Sequence, residues 1–315
     1  AICGLALLTM TWFNSDATLF RQRFLTERLV WCLANFANLA YVLFAGRSQR
    51  PASVVFFSNQ QPGPDHVVLT FAPFVAEQIA NRPEEASKQA DTWNIVVSRS
   101  DVREVDLSSA TTGDGLTWKL AMWGTPRDKK LLERLAARFK DERIDSLKLL
   151  GIAEPHEGFQ LRNKMNEEKK EQAETLELPG GEKKKDPLKP CPELEGKKIL
   201  NIAKLRNTGR IFAFPDSAIE SIKAEDCFIR LRGGLSGLEV SKPPHIVIDA
   251  SRRFAVFSDE FIAIPPRQIG VAGRPESTTH LRALSLLLSS DFCTYHQFFH
   301  SPQWGIDASR ADLKA

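Results

Sequence analysis

Cys293, His296 and His300 stand at i, i+3 and i+7 in "DFCTYHQFFH". On a helix that spacing brings a thiol and two imidazoles to one face, a set of donors suited to zinc. No fourth ligand stands nearby, and Tyr295, Phe298 and Phe299 suit a packed helix, so the packed face is preferred and no metal is expected. "RGGLSGLEV", Arg232–Val240, has the glycines of a phosphate-cradling turn but not the preceding buried strand and following helix that such a turn needs. It reads as a turn between β-runs. "PDHVV" has the Pro-Asp of a nuclease motif without its second acid or its lysine, and the six His form no Ser-His-Asp set. The residues thus offer no catalytic group and no cofactor loop.

A second kind of chemistry is richer. Lys204, Arg206 and Arg210 fall in "AKLRNTGR", Arg230 and Arg232 in "IRLRGG", Arg252 and Arg253 in "SRRF", and Arg267 stands beside Gln268. Arg and Lys contact phosphates, and Arg and Gln also read base edges in the major groove. Most such side chains in any protein are solvated surface charges.

The elements that must position these groups are partly legible. The chain has 315 residues, enough for two domains, and a formal charge of only +3, so composition alone announces no polycation. Residues 1–60 carry 5 Lys/Arg against 2 acids, 61–196 carry 21 against 25, and 197–315 carry 16 against 12. The ends are mildly basic, a weak pointer to an anionic partner. Five Cys without a Cys-x-x-Cys favour free thiols and a reducing, cytoplasmic setting. No apolar run reaches the ~18 residues of a membrane span.

"GLALLT" (residues 4–9) and "VWCLANF" (30–36) read as strands buried on both faces, with a helix between them carrying Phe20, Phe24 and Leu25. "SVVFF" (53–57) and "HVVLTF" (66–71) read as a hairpin across the turn signal "SNQQPGPD". Residues 72–146 read as mainly helical. The clearest helix there is "GTPRDKKLLERLAARF", capped by Thr125, Pro126 and Asp128, with a stripe of Leu131, Leu132, Leu135 and Phe139. Residues 166–190 are charged and poor in large apolar groups, as a mobile insertion would be. "PHIVID", "RFAVFS" and "EFIAIPP" follow as β-runs, then one helix, "THLRALSLLLSSDFCTYHQFFHS".

Three stretches resemble N6-adenine-specific DNA methyltransferases of restriction-modification systems. "LFRQRFLTERLVWCLANFANLAYVLFAGRSQRPASVVFF" is similar to the segment after that family's catalytic strand, through Phe20-Arg21, Asn38-Leu39, Leu43-Phe44 and Pro51-Ala52. "LAMWGTPRDKKLLERL" resembles its Trp-Gly-x-x-Arg-Asp stretch, and "LRALSLLLSSDFCTYHQFFHSPQWGID" the end of its target-recognition region, with Ser289-Ser290 where Asn-Ser is usual. The resemblance implies methyl transfer from S-adenosylmethionine to adenine N6 in duplex DNA, with the base flipped out of the stack. The family's Gly-rich cofactor turn and its Asn/Asp-Pro-Pro-Tyr/Phe tetrapeptide do not occur here. The Pro-Pro pairs in "KPPH" and "IPPR" lack both the polar residue before and the aromatic after.

The expected fold is the α/β edge of a doubly wound, Rossmann-like methyltransferase sheet (1–71), a helical connector (72–146) and an α+β target-recognition domain (147–315), with both ends of the sequence reading as cut. The expected function is the C-terminal part of the methyltransferase, mainly recognising target DNA. A DNA-binding specificity protein without catalysis is the alternative. The expected partners are double-stranded DNA and other restriction-modification components, not a membrane. Within a recognition domain, Lys204, Arg206, Arg210, Arg252, Arg253, Arg267 and Gln268 are the expected DNA contacts. S-adenosylmethionine is the implied cofactor of the whole enzyme, held by residues outside this sequence.

Overall fold

A computed structural model of the chain describes residues 2–39, 52–75, 95–112, 114–139, 145–163, 188–205, 210–249 and 253–301. It is a mixed α/β structure with several sheets, in two compact units: Ala1–Lys140 with Tyr295–Ala315, and Asp141–Thr294.

The first unit contains β1 (Ile2–Leu8), α1 (Thr18–Glu27), β2 (Leu29–Asn35), β3 (Ala52–Ser58), β4 (Val67–Phe71), the short pair β5 (Phe74–Val75) and β6 (Ile95–Val96), β7 (Arg103–Asp106), α2 (Leu107–Thr112), α3 (Gly115–Trp123) and α4 (Pro126–Arg138). Its main sheet has the order β1-β3-β2-β4-β7. Strand β3 is antiparallel to both β1 and β2, so those two run the same way and are joined through α1. Strand β4 is parallel to β2 and antiparallel to β7. One face of this sheet packs Leu33, Val55 and Val68 onto Trp12, Leu25 and Trp118. The two indoles lie 5.1 Å apart, and the Trp12 Nε1–H donates to Ser53 Oγ at 2.9 Å, which satisfies its one polar group in the core.

Two expectations for this unit are corrected. Strands β3 and β4 do not form a hairpin: β3 lies between β1 and β2, and β4 lies beyond β2. The turn signal between them is real, but it leads across a strand and not back along one. Strand β1 is not buried on both faces. Among the described residues it is an edge strand paired with β3 alone, with Ile2 70% and Leu8 51% exposed. An unbroken apolar run carries no period, so it cannot tell a central strand from an edge one. The stretch 72–146, expected to be mainly helical, holds α2, α3 and α4 and also supplies β7 to the main sheet.

Helix α4 begins as its sequence dictates. Thr125 Oγ1 accepts from the Asp128 amide, and the Asp128 carboxylate accepts from the Thr125 amide at 2.7 Å, with Pro126 at the first helical position. Its apolar stripe is narrower than expected. Leu132 is buried, whereas Leu131 is 42% and Phe139 50% exposed.

The second unit contains α5 (Asp145–Leu149), β8 (His156–Glu157), β9 (Leu161–Arg162), β10 (Leu188–Pro190), β11 (Lys198–Leu200), β12 (Ile219–Ser221), β13 (Phe228–Arg230), α6 (Leu231–Glu239), β14 (His245–Ile248), β15 (Ala255–Ser258), β16 (Ile262–Ala263), β17 (Ile269–Ala272) and α7 (Thr278–Leu288), followed by α8 (Asp291–His300). Three small sheets have the orders β15-β14-β17-β8, β12-β11-β16 and β10-β13-β9. The expected β-runs appear as β14, β15 and β16, and every residue of β14 is buried. Helix α7 covers β15, with the Ser285 and Ser289 hydroxyls donating to the Ala255 carbonyl at 2.7 and 3.2 Å.

Two readings change here. "RGGLSGLEV" is mostly helix, in α6, and not a turn. Leu231, Leu235 and Leu238 had the helical spacing. Gly237 permits the close approach: a Cβ there would come within 2.9 Å of the Gly158 backbone. The single long helix expected at the end is two, α7 and α8. Ser290 interrupts it and its Oγ accepts from the Cys293 amide at 3.1 Å, as an N-cap hydroxyl does. Most of the expected insertion, residues 166–187, lies outside the described residues, and its last three form β10.

Candidate nucleic-acid interface

The basic residues expected to meet DNA do not share one fate. Lys204 ends a 3-10 turn after β11 and its ammonium lies 3.0 Å from the Glu220 carboxylate, which also accepts from Asn201 at 2.7 Å. Hydrogen bonds from Asn201 and Lys204 hold the Glu220 carboxyl below its ordinary range. Arg210 pairs with Asp291 at 2.5 Å, at the start of α8. Both pairs are exposed, so their carboxylates compete only modestly with a phosphate.

Arg253 is held more firmly. It enters β15 and forks onto the buried Asp249 carboxylate, with Nε to Oδ2 at 2.9 Å and Nη2 to Oδ1 at 3.2 Å. Nη1 donates to the Leu205 carbonyl at 3.1 Å. The Asp249 hydrogen bonds hold its guanidinium above its ordinary pKa against the opposing effect of burial. This side chain ties the loop between β14 and β15 to the 3-10 turn that carries Lys204. Asp249 stands four residues before Arg253, so the pair was open to reading from the sequence.

Arg267 is exposed, with its backbone at φ 68°, and its amide donates to Glu157 Oε1 at 2.6 Å. A non-glycine residue in that left-handed region is uncommon, and the Glu157 contact helps hold the turn. The neighbouring Gln268 is buried. Arg206 and Arg252, and the side chains of Arg230 and Arg232, lie outside what is described. Lys204, next to the Leu205 carbonyl, and Arg253 therefore share one neighbourhood, and Arg267 stands on another loop.

The two latter stretches of the resemblance meet inside the first unit. The Asp128 carboxylate, already in the capping box of α4, accepts from the Tyr295 hydroxyl at 2.7 Å. Burial and that carboxylate push the Tyr295 hydroxyl up to about 12, so it stays a donor through ordinary pH. Trp123 packs edge-on against Phe298, with centroids 5.7 Å apart. Lys119 of α3 is fully buried and donates its ammonium hydrogens to the carbonyls of Phe298 and Ser301, with the Phe298 ring 4.8 Å away. Burial pulls this ammonium down to about 7. Sequence reasoning missed Lys119, and its one signal was a charge within the apolar helix "LTWKLAMW". In the first stretch, Arg21 is buried and donates to the carbonyls of Thr11 and Asn14 and to Thr18 Oγ1, fixing the approach to α1.

His296 and His300 do share a helix face, and their rings stack with centroids 4.1 Å apart. Burial and the neighbouring His300 lower the His296 pKa. Among the described residues no group of three or more His, Cys, Asp or Glu is arranged to hold a metal ion, and no helix is long and apolar enough to cross a membrane.

No family model matches the chain, and no curated protein matches it. Among solved structures, the type IIG restriction endonuclease BpuSI is similar at 11% identity and a TM-score of 0.30, over 99% of this chain and 40% of that one. The chain thus spans about 40% of that protein's length, and a likeness this distant decides neither fold nor activity.

Proposed function

We propose that these 315 residues form the target-recognition side of a site-specific DNA adenine-N6 methyltransferase of a restriction-modification system. In this reading the cofactor turn and the Asn/Asp-Pro-Pro-Tyr/Phe tetrapeptide come from a segment joined to this one. One observation carries the reading: the two stretches that resemble the family around residues 120–135 and 281–307 are far apart in sequence yet touch, through Asp128 and Tyr295 and through Trp123 and Phe298. Similarity in two stretches that pack on each other is what a shared structural unit leaves behind.

The chemistry asked of this part is binding. Basic side chains neutralise phosphates, and Arg and Gln on loops read base edges. S-adenosylmethionine would supply the methyl group when bound by the joined segment.

Calorimetry with S-adenosylmethionine and anisotropy with a mixed-sequence duplex test the reading on the chain alone. Duplex binding that weakens as salt rises, with no cofactor binding, is the expected result. Joining a segment that carries both missing motifs is expected to bring cofactor binding and methyl transfer to adenine. Cofactor binding by the 315 residues themselves, or no duplex binding at low salt, overturns the proposal.

A further inference from the structure

Helix α4 carries a row of cations that its own fold does not use. Arg127, Lys130, Arg134 and Arg138 stand at i, i+3, i+7 and i+11 and are all exposed. At about 100° per residue the three arginines fall within about 40° of one another, with Lys130 flanking them. Neither acid of the helix reaches this row. Asp128 is engaged by Thr125 and Tyr295, and Glu133 lies 4.0 Å from Lys129 on another face. Among the described residues, the one contact in the row is that of the Arg138 guanidinium, 5.9 Å from the Phe139 ring.

Several other surface cations are paired with acids. Lys198 pairs with Glu260, Lys242 with Glu239 and Arg282 with Asp259. Like charges three and four residues apart disfavour a helix, so an uncompensated row brings α4 nothing by itself. It does suit a polyanion.

We infer that this row is a contact for the phosphate backbone of duplex DNA. The inference rests on the reading that the protein meets duplex DNA, and adds to it a surface in the first unit. The row is about 16 Å long at the helical rise. At about 3.4 Å per nucleotide along one strand, that length faces about five phosphates. Three of its four members are Arg, whose planar fork matches a phosphate in two hydrogen bonds. Such contacts fix where the protein lies on the duplex and carry no sequence information. An anionic membrane surface is the competing partner, but an interfacial helix needs a broad outward apolar face. Here Leu132 is turned into the core, and the exposed large apolar side chains are only Leu131 beside the row and Phe139 at its end.

The test uses the full chain and two triple variants of equal charge change. One is Arg127→Gln, Arg134→Gln and Arg138→Gln. The control is Lys198→Gln, Lys242→Gln and Arg282→Gln, taken from cations paired with acids. Circular dichroism checks that both remain folded. Binding to a mixed-sequence duplex is followed by anisotropy between about 50 and 200 mM salt. The α4 variant is expected to bind at least about tenfold more weakly at the low-salt end, with the slope of log K against log salt reduced by about 2 to 3. The control is expected to keep the wild-type slope. Equal flattening in both variants, or an unchanged slope in the α4 variant, overturns the row while leaving duplex binding in place. Binding to anionic phospholipid vesicles without binding to duplex also overturns it. No duplex binding by the wild type removes the functional reading and the row with it.

Discussion

Arg253 and Arg134 are the same residue type in two different electrostatic settings. Arg253 has its guanidinium forked onto a buried carboxylate and a carbonyl, and it connects two loops of the second unit. Arg134 stands on the outer side of α4 in the first unit, with no acidic partner among the described residues. The first helps make the structure; the second is left over after the structure is made. The distinction matters for finding a nucleic-acid surface, because a cation already satisfied by a buried acid has little to offer a phosphate. The cations singled out in the sequence and the row that lacks an acid among the described residues are therefore not the same set.

The sharpest way to break this contrast is to remove Arg253. Arg253→Ala leaves the Asp249 carboxylate, 2% exposed, without its forked cation. Removing one member of a buried ion pair costs about 3–5 kcal/mol. Urea unfolding should show that loss as a lower midpoint with an unchanged m-value. A loss under about 1 kcal/mol would mean that Arg253 is as free as Arg134. One practical consequence is that weakened DNA binding by an Arg253 variant says little unless its fold has been checked.

Lys119 sharpens the comparison from the first unit, since it is a buried cation that donates to two backbone carbonyls. Its carbonyl partners, Phe298 and Ser301, can accept from either the ammonium or the amine. Its pKa is about 7 in the fold, against an ordinary value of about 10.4 in the unfolded chain. Between these values the unfolded chain binds the extra proton, so the folded state gains stability as pH rises from 7 towards 10 and loses it as pH falls through the same window. The slope has a ceiling of about 1.4 kcal/mol per pH unit. Lys119→Met, of similar length and unable to titrate, should remove that portion of the slope. Parallel stability–pH curves for the two proteins would show that the buried amine keeps its ordinary pKa.

What the sequence revealed follows the range of the interactions. The capping box of α4 was legible because Thr125, Pro126 and Asp128 are adjacent. The core strands β2 and β14 were legible from their apolar runs. The place of β3 between β1 and β2 was not, because strand order is set by pairing across long separations, and a turn signal fixes only where the chain bends. The glycines of "RGGLSGLEV" drew attention away from Leu231, Leu235 and Leu238, whose spacing was helical. In the candidate interface, the types and numbers of cations could be counted, but whether an acid reaches them could not. Lys204–Glu220 and Arg210–Asp291 join residues sixteen and eighty-one apart, respectively. Asp249 and Arg253, four apart, were the readable exception.

The smallest expected effect concerns the leftover cations themselves. If Arg134 is outside the machinery of the fold, Arg134→Ala should change stability by no more than about 0.5 kcal/mol, as at an exposed site with no cap, pair or core contact. Ala is the better helix former, and the change relieves repulsion from Lys130 and Arg138, four residues away on either side. The sign should therefore be neutral to slightly stabilising, and slightly more so at low salt, where like charges on a surface are screened least. Thermal unfolding of wild type and variant at two ionic strengths measures this. A clear destabilisation that grows at low salt would reveal an attractive partner for Arg134 within the chain, and the row on α4 would then belong with Arg253 among the cations that build the fold.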